Sequence, residues 1–364
     1  MALDIYEVLR ERIDSHPMGA PAHPSLNEIL RMLFTPEQAN LATHLTWAAQ
    51  PASVISQVSG IPEDEVTRLC QAMIKKGIVY TYQRKGNQLY ALLPLAPGLY
   101  EFPLMLPEIE GVDHDRLRNL WLEYFEKAWV RTFAEMNPAM QRVLPIYKTI
   151  DDDTGVLPFE QVADYFEGAR YITVGKCACR EMAHKCDAPI ETCFYLNEMG
   201  QYLVSIGAAR EVTREEAMDI LLKCEDAGLI HQGPNTAQGG DVICNCCSCC
   251  CTQMRGKLEW NGFSPASAFL CRVDEEACTA CSICVDRCRT NAITVNDFAV
   301  INDNLCVGCG LCAKACPEDA MAIIRREDAQ EAVSDMKAWA LDAVGKRGRT
   351  EDYLRNLKPV LPKA

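Results

Sequence analysis

Two sixteen-residue segments, CTACSICVDRCRTNAI at 278–293 and CVGCGLCAKACPEDAM at 306–321, align with a constant offset of 28 residues. This internal repeat constrains the fold more than any other feature of the chain. Each half carries three cysteines at CxxCxxC spacing. Two intervening residues let the backbone curl until successive sulfurs face one point, with backbone N–H groups aimed at the sulfurs. That arrangement grips one corner of an iron-sulfur cubane. A fourth cysteine, after three further residues, sits on the following helix and belongs to the other cluster. Zinc also accepts four thiolates, usually from two separated CxxC pairs. Eight cysteines in two copies of a three-plus-one pattern fit iron-sulfur far better.

Over about residues 274–325 the chain resembles bacterial ferredoxins with two 4Fe-4S clusters. Carried over position by position, the resemblance implies that Cys278, Cys281, Cys284 and Cys316 hold one cluster, and Cys306, Cys309, Cys312 and Cys288 the second. Pro317 follows its cysteine as the family pattern expects, whereas Arg289 stands where the first half would carry that proline. Apolar Ile283, Val285, Ile293, Val307, Leu311 and Met321 are expected to keep water from the clusters.

Of the 21 cysteines, 13 lie outside this pattern. Cys70 and Cys224 fall within helical patterns and are expected to be buried small hydrophobes, and Cys271 is isolated. Ten remain in two segments. CACREMAHKCDAPIETC supplies Cys177, Cys179, Cys186 and Cys193, and ICNCCSCCC supplies Cys244, Cys246, Cys247, Cys249, Cys250 and Cys251. A further iron-sulfur site is the expected use of these ten, with zinc as the alternative. Spacing leaves open whether one centre draws on both segments or each holds its own. Alternate residues of an extended chain face opposite ways, so the six dense cysteines cannot all serve one metal centre. Arg180 and His184 are candidates for hydrogen bonding to cluster sulfur. From about residue 80 onward, LPLAPGLYEF, CACR, ICNCCSCCC and the paired repeat in that order resemble a group of iron-sulfur proteins from anaerobic bacteria with CxCR and CNCCxCCC segments.

A chain of 364 residues can build two or three real cores without covalent staples. The opening MALDIYEVLRERID is charged throughout its first turns and lacks an apolar stretch with a cleavage site, so a reducing cytoplasm is the expected compartment. No membrane span is expected, because the most apolar stretch, at 91–109, is broken by Pro94, Pro97, Gly98, Pro103 and Pro107.

In the first hundred residues, Thr35 followed by Pro36 marks a helix start. PASVISQVSG is a short helix stopped at Gly60, and PEDEVTRLCQAMIKKG is a helix with Val66, Leu69, Met73 and Ile74 on its apolar face. A hairpin is expected around Arg84-Lys85-Gly86-Asn87. Three helices and a hairpin resemble the winged helix-turn-helix of MarR- and ArsR-type regulators. Residues 113–136 place Leu117, Trp121, Tyr124, Phe125, Trp129 and Phe133 at helical spacing, an aromatic stripe expected to be core. Thr213 and Glu216 form a capping box for a helix ending at Gly228.

The expected fold class is α+β. It comprises a winged-helix-like domain at 1–100, a mostly helical cysteine-rich domain at 101–272, a ferredoxin-like dicluster domain at 273–327 and a helical tail at 328–364. The expected function is an oxygen-sensitive electron carrier, or electron-transfer subunit of an oxidoreductase, relaying single electrons in anaerobic metabolism. Its partner would be a redox protein such as a flavoprotein, since no GxGxxG or Walker A loop is present to hold a nucleotide here. The rival is an iron-sulfur redox sensor that binds DNA. A net charge of −14, and eight Lys and Arg against nine Asp and Glu in residues 1–100, speak against nucleic acid and for docking or dimerisation.

Overall fold

The computed structural model describes residues 4–150, 157, 160–260 and 267–359. Helices Ile5–Asp14, Pro24–Leu33 and Pro36–Ala42 open the chain. The third begins with a full capping box, in which the Thr35 hydroxyl accepts from Gln38 N while the Gln38 side chain accepts from Thr35 N. Helix Ala52–Ser59 stops at Gly60, and helix Glu63–Lys75 buries Val66, Leu69, Cys70, Met73 and Ile74. Strands Val79–Arg84 and Asn87–Leu92 follow, joined through Lys85 and Gly86 at φ 51° and 78°, the double left-handed turn that matches strand twist. The short strand Gln50–Pro51 pairs with the outer side of Asn87–Leu92, giving a three-stranded sheet.

The aromatic stripe is core. Trp121, Tyr124, Phe125, Trp129 and Phe133 are all buried, Trp121 meets Tyr100 edge-on at 5.3 Å, and the Trp129 indole donates to Met18 O at 3.1 Å. The same apolar cluster takes in Tyr6 and Leu9 from the start of the chain and Trp339, Val344 and Tyr353 from helices Met336–Lys346 and Thr350–Leu357. Arg347 donates to His16 O at 2.7 Å, and Trp47 N donates to Asn356 O at 3.0 Å, fastening the late helices onto the early ones.

The middle of the chain departs from the expectation of a mostly helical segment. Its helices are there, but a six-stranded antiparallel sheet positions the cysteines. In spatial order the strands are Gln141–Val143, Ile230–Pro234, Val242–Cys246, Glu191–Leu196, Ile172–Lys176 and Ala209–Glu211. Short apolar runs such as ITVGK and VICNC carry too few residues for periodicity to separate strand from helix. Alternation along each strand sorts the side chains. Phe194, Leu196 and Ile243 pack with Phe166 and Leu221 under helices Val162–Gly168 and Arg214–Asp226, while Cys193, Cys244 and Cys246 belong to other clusters of the core.

In the repeat, strand Phe269–Val273 pairs with Met321–Arg325 and strand Ile293–Val295 with Ala299–Ile301, framing helices Ile283–Arg287 and Leu311–Ala315. Arg289, the departure from the family pattern, has a structural use. Its guanidinium donates to Gly228 O at 2.9 Å and Ala227 O at 3.1 Å, and Arg287 donates to Glu225 O at 3.0 Å and Asp226 O at 3.1 Å. Lys314, from the second half, pairs with Glu225 and Asp226 at 2.8 Å each. Three cations thus satisfy the bare carbonyls and negative end of helix Arg214–Asp226. Arg289→Ala is expected to cost about 1.5–3 kcal/mol, the worth of hydrogen bonds from a charged donor. Anoxic denaturant unfolding measures it, and an unchanged midpoint would mean that the clamp carries nothing. Among the described residues no helix is long and apolar enough to cross a membrane.

Candidate metal centres

The curled loops of the repeat depend on left-handed residues at matching positions. Ala280 and Ser282 have φ of 55° and 67°, and Gly308 and Gly310, 28 residues on, have 60° and 83°. Two hollows result. One is lined by Cys278, Cys281, Cys284 and Cys316, with Val295, Ala299 and Met321. The other is lined by Cys306, Cys309, Cys312 and Cys288, with Ile293, Leu311 and Ile323. Each therefore gathers three sulfurs from one repeat and the fourth from the other. Backbone N–H groups reach the sulfurs, Ala292 N to Cys288 at 3.2 Å and Cys271 N to Cys306 at 3.4 Å.

Burial pushes the Cys284 thiol up to about 11 and raises Cys306 and Cys309. Thiolates in such apolar hollows need the positive charge of bound iron, so the donor set and its surroundings fit a cubane. Cys271, isolated in the sequence, adds a ninth sulfur. It lines the second hollow, 3.6 Å from the Cys312 sulfur.

The two hollows differ in exposure. Cys281 is exposed, and so are Ile283 and Val285, at 42% and 37%. This corrects the expectation that both would exclude water, since on the short helix Ile283–Arg287 both stay open to solvent, Ile283 while lining the first hollow. Their equivalents differ, because Leu311 is buried beside Val307 and Cys309 in a cluster with Ile146, Cys246 and Cys251. Ile146 N donates to Cys309 O at 3.1 Å.

The ten remaining cysteines separate into two groups. Six form a closed ring of thiol contacts. Cys177 touches Cys179 and Cys193, Cys193 touches Cys244, Cys244 touches Cys246, Cys246 touches Cys251, and Cys251 touches Cys179. Donation from two neighbours each holds Cys179 and Cys244 well below the ordinary thiol range. The ring borders a hollow walled also by Ala96, Pro97, Phe133 and Met140. Polar groups converge there. The Gln141 amide donates to Cys244 at 3.4 Å, the Thr252 hydroxyl lies 3.7 Å from Cys179, and Tyr100 lies against Cys179. Glu101, which accepts from Gly98 N at 2.8 Å, has its carboxyl raised well above the usual range by burial.

The other four, Cys186, Cys247, Cys249 and Cys250, lie within 4.8 Å of one another. Arg180 stands between the groups. Buried, it donates to Asn245 O at 2.9 Å and reaches Cys247 at 4.0 Å, with Cys177, Cys193 and Cys246 nearby. His184 instead caps helix Ala178–Ala183 in a left-handed conformation and meets Arg118 at 3.1 Å, at an exposed position away from the sulfurs. Cys70 and Cys224 are fully buried, and burial pushes each up to about 12, as suits inert thiols. Sequence reasoning missed Glu101, Tyr100, Gln141 and Cys271. The first two lie in LPLAPGLYEF, a stretch that drew notice by resemblance without a stated role.

The 4Fe-4S binding domain family matches residues 272–294 and 299–322. No curated protein matches the chain. Two such motifs mean two 4Fe-4S clusters, and iron-sulfur electron transfer is the general role of this part of the molecule.

Proposed function

We propose that the protein relays single electrons from a partner redox protein, through the repeat, to the six-sulfur ring, which holds a further iron-sulfur centre. Cys278, Cys281, Cys284 and Cys316 are the ligands at the entry side, and Cys306, Cys309, Cys312 and Cys288 those at the inner side. The clusters supply one-electron chemistry, and the chain supplies ligation, water exclusion and order. The observation that carries this order is the apolar cluster joining Cys309, Val307 and Leu311 to Cys246 and Cys251.

At the other end, exposed Cys281, Ile283 and Val285 are rimmed by exposed Glu275, Glu276, Asp286, Glu318 and Asp319. This face suits a partner with a basic patch around an apolar centre. The reaction is set in the cytoplasm of an anaerobe, and the hollow beside the ring, with its buried Glu101, is where electrons leave for an acceptor.

Residues 1–100 are read as a winged-helix-like domain used for docking. Supporting that use over DNA binding are Glu63, Asp64 and Glu65 in the first turn of helix Glu63–Lys75, where a phosphate backbone would be repelled. Loss of partner capture, without any gel shift at low salt, after removal of this acidic turn is the expected result; a salt-sensitive DNA shift would sink it.

The ligand exchange between repeats gives the sharpest test. Cys288→Ala, although in the first repeat, is expected to remove the electron paramagnetic resonance (EPR) signal of the inner cluster, and Cys316→Ala that of the outer one. Anoxic iron and sulfide quantification on the unaltered protein should give clearly more than about eight irons per chain, the content of two cubanes. A count of eight would remove the third centre from this reading.

A further inference from the structure

We propose that Cys186, Cys247, Cys249 and Cys250 bind one zinc ion, a centre separate in kind from the iron-sulfur sites. Their four sulfurs all lie within 4.8 Å of one another, close enough to share a single tetrahedral ion. Cys186 lies 3.7 Å from Cys247 and 3.9 Å from Cys250, and Cys249 lies 3.8 Å from Cys250. The remaining three pairs, Cys247 with Cys250 and Cys249 with Cys186 and Cys247, also lie within 4.8 Å. A single ion with sulfur at about 2.3 Å in tetrahedral geometry requires sulfur–sulfur edges of about 3.8 Å. Three of the six edges, at 3.7, 3.8 and 3.9 Å, match that length.

A cubane imposes a different spacing, because an inorganic core stands between its thiolates and each sulfur sits on a separate iron. The molecule carries its own ruler for this. Among the described residues, neither the sulfurs around the two ferredoxin-type hollows nor those of the six-membered ring form any group of three within 4.8 Å of one another; the quartet is the one set that does. Ring members touch two neighbours each, while each quartet member has the other three within 4.8 Å.

The quartet also has the chemistry of a closed structural site. Four thiolates fill a tetrahedron and leave no position for substrate. Among divalent ions competing for such a site, zinc outranks ferrous iron in affinity. Arg180, 4.0 Å from Cys247, and the Lys185 N–H, which donates to Cys250, face the negative charge that four thiolates around a divalent ion retain. The local fold explains the need. Cys186 sits in the loop between helix Ala178–Ala183 and strand Glu191–Leu196, and the other three lie in the turn between strand Val242–Cys246 and helix Thr252–Trp260. Ring members Cys246 and Cys251 flank that turn, so an ion there fixes where two of the six ring sulfurs stand.

The test starts from the unaltered holoprotein, purified anoxically from cells given both iron and zinc. Elemental analysis should find about one zinc per chain, and zinc-edge X-ray absorption should show four sulfurs at about 2.3 Å and no neighbouring metal. Cys186→Ser/Cys249→Ser should then lose that zinc while iron and sulfide stay at the level of the unaltered protein. Because the absorption measurement needs no variant, a variant that fails to fold leaves the proposal exposed to refutation. Absence of zinc with about four additional irons and sulfides tied to these cysteines would overturn it, as would oxygen or nitrogen in the zinc shell. One iron unmatched by sulfide would overturn the identity of the metal.

Discussion

Anoxically purified protein carrying Cys309→Ala is expected to accept electrons at the outer, surface-facing cluster and deliver none of them to the six-sulfur ring. In the proposed relay, Cys309 is the inner ligand that packs against the cluster shared with the ring. Its carbonyl receives Ile146 N at 3.1 Å, and it packs in the apolar cluster that includes Cys246 and Cys251. Alanine offers iron no donor, so the inner hollow loses a corner while Cys278, Cys281, Cys284 and Cys316 are untouched. About four irons and four sulfides per chain should disappear. Rapid-freeze EPR after mixing with a protein reductant follows both ends of the path, and the ring signal should no longer develop behind that of the outer cluster. Ring reduction at the rate of the unaltered protein would show that electrons reach the ring by another route.

The second large effect concerns backbone geometry. Gly308 has φ of 60°, and a Cβ there would run into the Phe269 carbonyl carbon and oxygen. Left-handed backbone costs an alanine about 1–2 kcal/mol, and forcing the strand away adds about 1–3 kcal/mol. Gly308→Ala should therefore lose about 2–5 kcal/mol, a large share of a typical domain's stability. The equivalent position in the first repeat predicts the opposite sign. Ala280 already sits at φ 55°, so Ala280→Gly should gain up to about 1 kcal/mol. Thermal unfolding of the two variants side by side, with iron content measured on each, gives the comparison. Equal responses would mean that the two loops are not held by the same constraint.

What could be read from the residues depended on the range of the interaction. The repeat was legible because ligand spacing and loop curl are local, while the exchange of the fourth cysteine came with the ferredoxin resemblance. Helix starts at Thr35 and Thr213 and the Lys85-Gly86 hairpin were legible for the same reason, since a cap or a turn lies within four residues. The division of the ten central cysteines was not. It depends on which face of Val242–Cys246 and Glu191–Leu196 each sulfur takes, and on Cys177 and Cys179 arriving from a third element. Exposure misled at Ile283 and Val285, where apolar character suggested a water barrier and the fold leaves both open to solvent. Arg289 departs from the family pattern in sequence, and its purpose lies with carbonyl partners some 60 residues earlier in the chain, beyond the reach of any local motif.

The enclosure of Tyr6 and Leu9 by Trp339, Val344 and Tyr353 sets a schedule for biogenesis. A ribosome releases the first helices hundreds of residues before the segments that cover them, and both cysteine repeats emerge in between. Until residues 336–357 arrive, the apolar surface they will cover remains open to solvent. Metal loading therefore has an interval in which every cysteine has been made and the last wall has not been set in place. Slowing translation just upstream of residue 336 should lengthen that interval, whereas a stall while iron is scarce would leave the nascent chain with both an open core and empty loops.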